Sequence, residues 1–524
     1  MQRSAFAASA APPMQLPFSF EVSLPMTQAH ATPPHGRSPR TSPPSAWRTD
    51  LLAGLSVFLI ALPLCLGIAT ASGVAPFAGI LAGVIGGLVV ALLSGSRLSV
   101  SGPAAGLVVI VVQALATLGS FSAFLTALVL AGALQLMFGF LRAGKLAGYV
   151  PPPVINGMLA AIGILLIVNQ LPLAAGFANG SVSAAMPLLA LASLAILLGW
   201  ETPRLRAFAL VRAIPAPLAV VSFGIATTAL VDTFAPDMAP AFSQRIAMPS
   251  LGSWDALGQA LTFPDLAQWL DPAVWRVAVV IAIVASLETL LSLEALEQID
   301  PAHRKAAPDR ELKAQGVGNL LAGLLGALPL TAVVVRSAAN VHAGARGRLS
   351  CVTHGVVLLI ACLALTSVIN MIPLASLAAI LIHTGYKLAR PQLFVSTGQA
   401  GFAQFVPFIG TIVGVLATDL LIGIAIGFAL SVMLVVERNI RRVLSFTRDG
   451  DHYLLTVRKS ATFFCTPQLK HYLGQIPAGA TLILDASHAD HIDHDVRQVV
   501  DRYTARARAS GIRVEYKQWP PAQR

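Results

Sequence analysis

Apolar residues run almost without break from Leu51 to Val436. A segment of ~20 apolar residues crosses a bilayer as a helix, because lipid leaves every backbone polar group to be satisfied inside the segment. Spans of that length, joined by short loops, divide this stretch into roughly fourteen segments. The chain therefore reads as an all-α polytopic membrane protein with a transmembrane domain over 50–437. The charged fraction agrees, at 11% of 524 residues where soluble domains carry about 25%, and this excludes a soluble enzyme. Segments 186–200 and 331–345 are too short to span alone, and interrupted spans of this kind mark the broken helices of transporters.

Residues 1–49 are rich in Pro, Ser and Ala and lack the continuous apolar core of a signal peptide. They are expected to form a disordered extension, with Met26 a second candidate start. From Arg438 the charges return, and a small α/β domain is expected over 438–524, with strands at 452–457, 481–484 and 512–516 and an amphipathic helix at about 494–509. It carries no nucleophile pair or Gly-rich phosphate loop, so its expected role is regulation or assembly. His488, His491 and His494 alternate with Asp490, Asp493 and Asp495 in what reads as a loop before that helix, and no metal is assigned to them. Cys65, Cys351, Cys362 and Cys465 form no CxxC pair, so neither a disulfide nor a zinc site is expected.

A net charge of +11 would suggest a nucleic-acid partner on a soluble chain, but here the excess of Lys and Arg in cytoplasmic loops explains it. Loops after even-numbered segments hold Arg97, Arg142 with Lys145, Arg204 with Arg206 and Arg212, Arg304 with Lys305 and Arg310, Arg346 with Arg348, and Lys387 with Arg390. Loops after odd-numbered segments are almost bare of them, and the stretch 233–271 holds Asp237, Asp255, Asp265 and Asp271 against Arg245. Both termini are predicted in the cytoplasm of a protein of the cell (inner) membrane.

An internal repeat points to the site. Gly79-Ile-Leu-Ala-Gly-Val-Ile-Gly-Gly leads into Ser99-Val-Ser-Gly-Pro, and Gly318-Asn-Leu-Leu-Ala-Gly-Leu-Leu-Gly leads into Pro329-Leu-Thr-Ala-Val-Val-Val-Arg. The passages lie an odd number of segments apart, which inverts the second copy, and inverted repeats bring two half-helix N-termini to one site suited to an anion. Ser99, Ser101, Gly102 and Pro103 read as an extended stretch with Pro at the first helical turn. Arg336, a charge inside an apolar stretch, is the first binding candidate, and Ser337 can add a hydroxyl donor. Glu288 follows Arg276 by twelve residues, ~18 Å along a helix, which puts it near mid-membrane with Ser292 one turn on. A carboxylate there suits proton or sodium exchange, or the neutralisation of Arg336, while Glu294 and Glu297 fall toward the cytoplasm.

Asp50-Leu-Leu-Ala-Gly-Leu with Ala61-Leu-Pro63, Ser286-Leu-Glu288-Thr-Leu-Leu-Ser292, Glu311-Leu-Lys-Ala-Gln315-Gly-Val-Gly-Asn319 and Pro329 through Arg336-Ser-Ala-Ala-Asn340 resemble the sulfate permease (SulP) family of anion transporters. In the tail, Leu484-Asp-Ala-Ser487 and Ile492-Asp493 resemble the STAS domain these transporters carry. The resemblance implies fourteen spans as two inverted sevens, a core of spans 1 to 4 and 8 to 11, a gate of the remainder, an elevator motion and a homodimer. It also implies substrate-binding roles for Cys65, Ser101, Gly102, Ala104, Val335, Arg336 and Ser337, an ion-coupling role for Glu288 and Ser292, and no cofactor beyond a co-transported H⁺ or Na⁺. Where many members have Gln, Tyr and Ser, this chain has Leu64, Ile68 and Val335. That resembles the bacterial branch often associated with carbonic anhydrases, so bicarbonate stands beside sulfate as the expected substrate, with a carbonic anhydrase as a functional partner. Other anion exchange, such as of dicarboxylates, and a non-transporting sensor acting through the tail are the alternatives. A nucleobase permease is disfavoured by Arg336, and a membrane enzyme by the lack of a second acid, nucleophile or metal set near Glu288.

Overall fold

The computed structural model describes residues 46–519 except 179–180, 183–184, 209–210, 212–213, 235–243 and 250–253. Nearly all of the expected extension at 1–49, with Arg212 and Asp237, lies outside the described residues. Every apolar segment read from the sequence carries a helix: α1 (Ala46–Ala71), α2 (Pro76–Ile85), α3 (Val108–Leu118), α4 (Phe121–Phe140), α5 (Pro152–Ala174), α6 (Met186–Trp200) and α7 (Ala216–Phe234). The series continues with α8 (Pro272–Ile299), α9 (Pro308–Leu325), α10 (Val334–His342), α11 (Leu349–Ala364), α12 (Leu374–Leu388), α13 (Phe402–Ala417) and α14 (Leu420–Val443). Seven of them are long and apolar enough to cross a membrane: α1, α2 with its continuation to Leu93, α4, α5, α7, α8 and α14.

The two breaks expected from the repeat take the form of short strands. The chain runs through β1 (Ser101–Pro103) before α3 and through β2 (Leu330–Ala332) before α10. The strands pair antiparallel, Ser101 with Ala332, Gly102 with Thr331 and Pro103 with Leu330, so the two helices leave this ribbon in opposite directions. Pro103 is thus the last residue of a strand and not the first turn of a helix, and helical structure begins at Ala105. A two-stranded ribbon tolerates Pro because its missing N–H can face away from the partner strand.

The glycine-rich passages explain how the ribbon is enclosed. On α2, which continues as a π-turn through Gly86–Val90, Gly87 meets Gly355 of α11 backbone to backbone, and Gly86 leaves no room for a Cβ beside the Ser101 carbonyl, 2.3 Å away. In the other copy α9 meets α4 in the same manner, Gly316 against Gly132. Of the remaining membrane helices, α12 and α7 share a buried core with α1 and α2 that includes Leu66, Ile80, Val220 and Leu377. α12 lies on α5, where Gly385 and Gly163 approach through their backbones, and on α6, where Ser376 and Ser193 are 3.3 Å apart.

By contacts the described chain forms one compact unit up to Thr397 with Thr411–Ile424, and a second of Gly398–Gly410 with Ala425 onward. α14 runs unbroken across the change of composition at Arg438. The second unit carries a four-stranded sheet in the order β3 (Leu444–Asp449), β4 (His452–Ala461), β5 (Thr481–Ile492), β6 (Arg513–Lys517). Its first pair is antiparallel and the other two parallel. Helices α15 (Thr466–Gly474) and α16 (His494–Ala507) cover a core that includes Leu455, Leu482, Leu484, Val496 and Val500. β5 continues to Ile492, so His488 and His491 lie on a strand and not in the expected loop, held by parallel pairing with β4. β3 and α15 were not legible in the sequence reading.

Candidate functional site

The ribbon is clamped by side chains from α9. Glu311, fully buried, accepts from the Gly95 amide at 2.9 Å and from Gln315 Nε2 at 3.0 Å, and also from the Ser94 hydroxyl. Gln315 donates to Ser101 Oγ at 2.7 Å, and Asn319 exchanges hydrogen bonds with the amide and carbonyl of Leu330 at 2.8 and 3.0 Å. Asn319 also donates to Gln135 of α4, which donates in turn to Ser286 of α8. From α8, Thr289 Oγ1 accepts from the Ala332 amide at 3.3 Å. Residues one turn apart on α9 therefore hold both broken segments, β1 through Gln315 and β2 through Asn319.

Arg336, in the first turns of α10, is completely buried and lies across β1. Its Nη2 donates to the Pro103 carbonyl at 3.3 Å, and a Cβ on Gly102 would sit 2.2 Å from Nη1, so only glycine leaves the guanidinium its place. Nε and Nη1 have no hydrogen-bond partner. Cys65 of α1 lies beside the guanidinium. Glu288 faces the entry to α3, where a Cβ on Gly106 would fall 3.0 Å from its carboxylate, and its Oε2 is buried without a partner. Among the described residues no ion pair joins Glu288 to Arg336, so the neutralising role considered for Glu288 is not realised in this geometry. The segment from Gly102 to Gly106 thus has a cation on one side and a carboxyl group on the other.

The residues singled out from the sequence divide into three groups. Cys65, Gly102 and Arg336 meet directly, and Ala104 is buried in the turn between β1 and α3. The hydroxyls of Ser101 and Ser337 are engaged in the frame: Ser101 accepts from Gln315, while Ser337 donates to the Val333 carbonyl at 2.8 Å and accepts from the Val100 amide at 3.0 Å. Ser337 is therefore a strand-to-helix tie and not the free donor expected. Val335 is 49% exposed, while Ser292 is buried one turn beyond Glu288. Reading the sequence missed Gln135 and His354, polar residues inside apolar spans, which is the same signal that picked out Arg336. No group of three His, Cys, Asp or Glu among the described residues could hold a metal. A cavity of about 330 Å³ lies elsewhere, at the ends of α1 to α4 near Gly73, Phe77, Ser120 and Phe121, and holds none of these side chains.

Comparison with known proteins places this arrangement. YvdB of Bacillus subtilis, which carries the name of a sulfate transporter, is 28% identical over 414 residues, 75% of this chain and 74% of that protein. The bicarbonate transporter BicA of Picosynechococcus sp. is 25% identical over 415 residues, 75% of this chain and 70% of its own. The solved transmembrane domain of a cyanobacterium BicA shares the fold with a TM-score of 0.61 at 24% identity, over 74% of this chain and 98% of that one. The murine Solute Carrier 26 family member A9 anion transporter, solved in the inward-facing state, shares it with a TM-score of 0.69 at 17% identity, over 92% and 87%. The family model described as the sulfate permease family matches residues 47–411, and with its multi-pass helices, paired breaks and buried arginine the chain belongs to that family of transporters, not of enzymes.

Proposed function

We propose that this protein carries an inorganic oxyanion, sulfate or bicarbonate, across the membrane by secondary active transport. The observation that carries the reading is Arg336: a guanidinium fully buried at the meeting of two broken helices, with two nitrogens unpartnered and no ion pair to a carboxylate among the described residues. A buried charge left in this state is costly, and a bound anion would compensate it. The names of the relatives supply the two candidate anions.

Movement of the anion would follow from the packing, in which α1 to α4 interlock with α8 to α11 around the ribbon while α12 gathers α5 and α6. The first group is the natural carrier and the second the natural gate of an elevator. Glu288, with Ser292, is the proposed site of a co-transported proton or sodium ion. The dimeric state, cytoplasmic termini in the inner membrane and, for bicarbonate, a carbonic anhydrase as functional partner belong to the same proposal. The test is uptake of labelled sulfate and bicarbonate into proteoliposomes under imposed pH or sodium gradients. Arg336→Ala is expected to reduce uptake of the transported anion to background, and unchanged rates would remove Arg336 from the site.

A further inference from the structure

α2 and its continuation end at Leu93, on the side of the membrane where Arg97 follows. The last carbonyls of a helix have no partner within it, and cations are favoured beside them. Two arginines remote in sequence come to this end. Arg310, in the first turn of α9, donates through Nε to the Leu93 carbonyl at 2.9 Å, and Arg348, just before α11, donates through Nη2 to the Ser94 carbonyl at 2.6 Å. Capping accounts for one nitrogen of each. A guanidinium offers more donors than that, and the Nε of Arg348 is buried without a partner.

The acids nearby do not neutralise this pair. Glu311 accepts from the Gly95 amide, the Ser94 hydroxyl and Gln315, Asp309 from the Gly144 amide, and Asp50 from the amides of Arg346 and Gly347. Among the described residues Arg304 and Lys387 form ion pairs, with Asp300 and Glu201, whereas no carboxylate pairs with Arg310 or Arg348. Arg97, Arg310 and Arg346 are exposed at this end. The surface beside them is apolar: Leu92 and Leu93 are exposed on the α2 continuation, and Leu349 is exposed on α11, which packs on that stretch. Exposed leucines of a membrane domain meet acyl chains.

An apolar face that ends in unneutralised guanidinium groups is complementary to one kind of molecule, an acyl chain headed by a phosphate. We infer that the end of α2 binds an anionic phospholipid, with Arg310 and Arg348 donating to its headgroup phosphate and Leu92, Leu93 and Leu349 lining its acyl chain. A zwitterionic headgroup brings its own cation and leaves the arginines' charge unbalanced. Inorganic phosphate offers the same oxygens, but the leucines have no part in holding it.

The test is native mass spectrometry of the full-length chain in detergent, titrated with phosphatidylglycerol or phosphatidylcholine. Phosphatidylglycerol should bind the more tightly. Arg310→Gln with Arg348→Gln, whose amides can still cap the two carbonyls, should weaken it ~30-fold, the attraction of two basic residues to an anionic headgroup. The same loss of charge at Arg448 and Arg458, on β3 and β4 of the second unit, should leave it unchanged. If the double variant does not fold, Arg310→Gln alone should weaken phosphatidylglycerol ~5-fold. Equal affinity for the two lipids, or an unaltered phosphatidylglycerol affinity in a folded glutamine variant, overturns the inference. Displacement of phosphatidylglycerol by inorganic phosphate would assign the arginines to the free ion and overturn the lipid as occupant.

Discussion

Along α9, Glu311, Gln315 and Asn319 spend nearly all of their hydrogen-bonding capacity on the two strands and on α4, with only Gln315 Oε1 left over. Around α10 and α11, Arg336 and His354 are as deeply buried and leave four nitrogens unmatched. Both regions place polar side chains where each unmet hydrogen bond costs free energy, so their difference is informative. The first region is scaffold, complete in the protein alone. The second remains unbalanced, as expected of a surface that something else completes.

The comparison breaks most severely if stability and transport fail to separate. Arg336→Ala should leave the thermal midpoint in detergent unchanged or raised, because it removes an uncompensated buried charge, while uptake falls to background. Asn319→Ala should do the reverse. It strips the amide and carbonyl of Leu330 and the Gln135 amide oxygen of their partner, and a loss of about 2–3 kcal/mol is expected from the thermal or denaturant midpoint. A pair of single methyl groups sharpens the contrast. Gly86→Ala drives a Cβ into the Ser101 backbone and should cost about 1–3 kcal/mol of stability. Gly102→Ala drives one into the guanidinium of Arg336 and should mainly weaken anion affinity, read by uptake against concentration.

Glu288→Gln tests the other side of the α3 entry, with a smaller effect on rate than on energetics. Uptake should persist down the anion's own gradient but lose its response to an imposed proton or sodium gradient, and an undiminished response would count against the coupling role. The smallest effect belongs to the second unit. Hydrogen bonds from Ser487, with Lys517 beyond them, hold the Asp485 carboxyl down to about 2. A depressed carboxylate stabilises above its unfolded pKa of ~3.9 and loses that contribution as pH falls through its folded value. Hydrogen-exchange protection of β5 in the full chain should therefore differ between wild type and Asp485→Asn at neutral pH, and the difference should vanish toward pH 2.

The helices are legible in the sequence because lipid imposes a simple demand, a long apolar run, that each segment meets locally. Arg336 is legible for the same reason, since one charge inside such a run is visible without knowing its neighbours. Pro103 reads as a helix start in the sequence but ends a strand in the structure, because proline suits both places equally and only the register with Leu330 decides. Ser337 reads as an added hydroxyl donor because a serine beside an arginine looks available, whereas in the structure the Val333 carbonyl and Val100 amide occupy it.

By itself the sequence settled a multi-pass helical membrane protein with two related halves, two interrupted spans, one intramembrane cation and a polar α/β tail. These are properties of composition and spacing, and each is felt by the chain over a few turns. The tertiary structure decided which polar groups are satisfied: that α9 uses up nearly all of its own, that no ion pair joins Glu288 to Arg336 among the described residues, and that His354 is buried unmatched. Hydrogen-bond satisfaction is a property of pairs, and the deciding pairs join residues more than two hundred positions apart, Ser101 with Gln315 and Pro103 with Arg336.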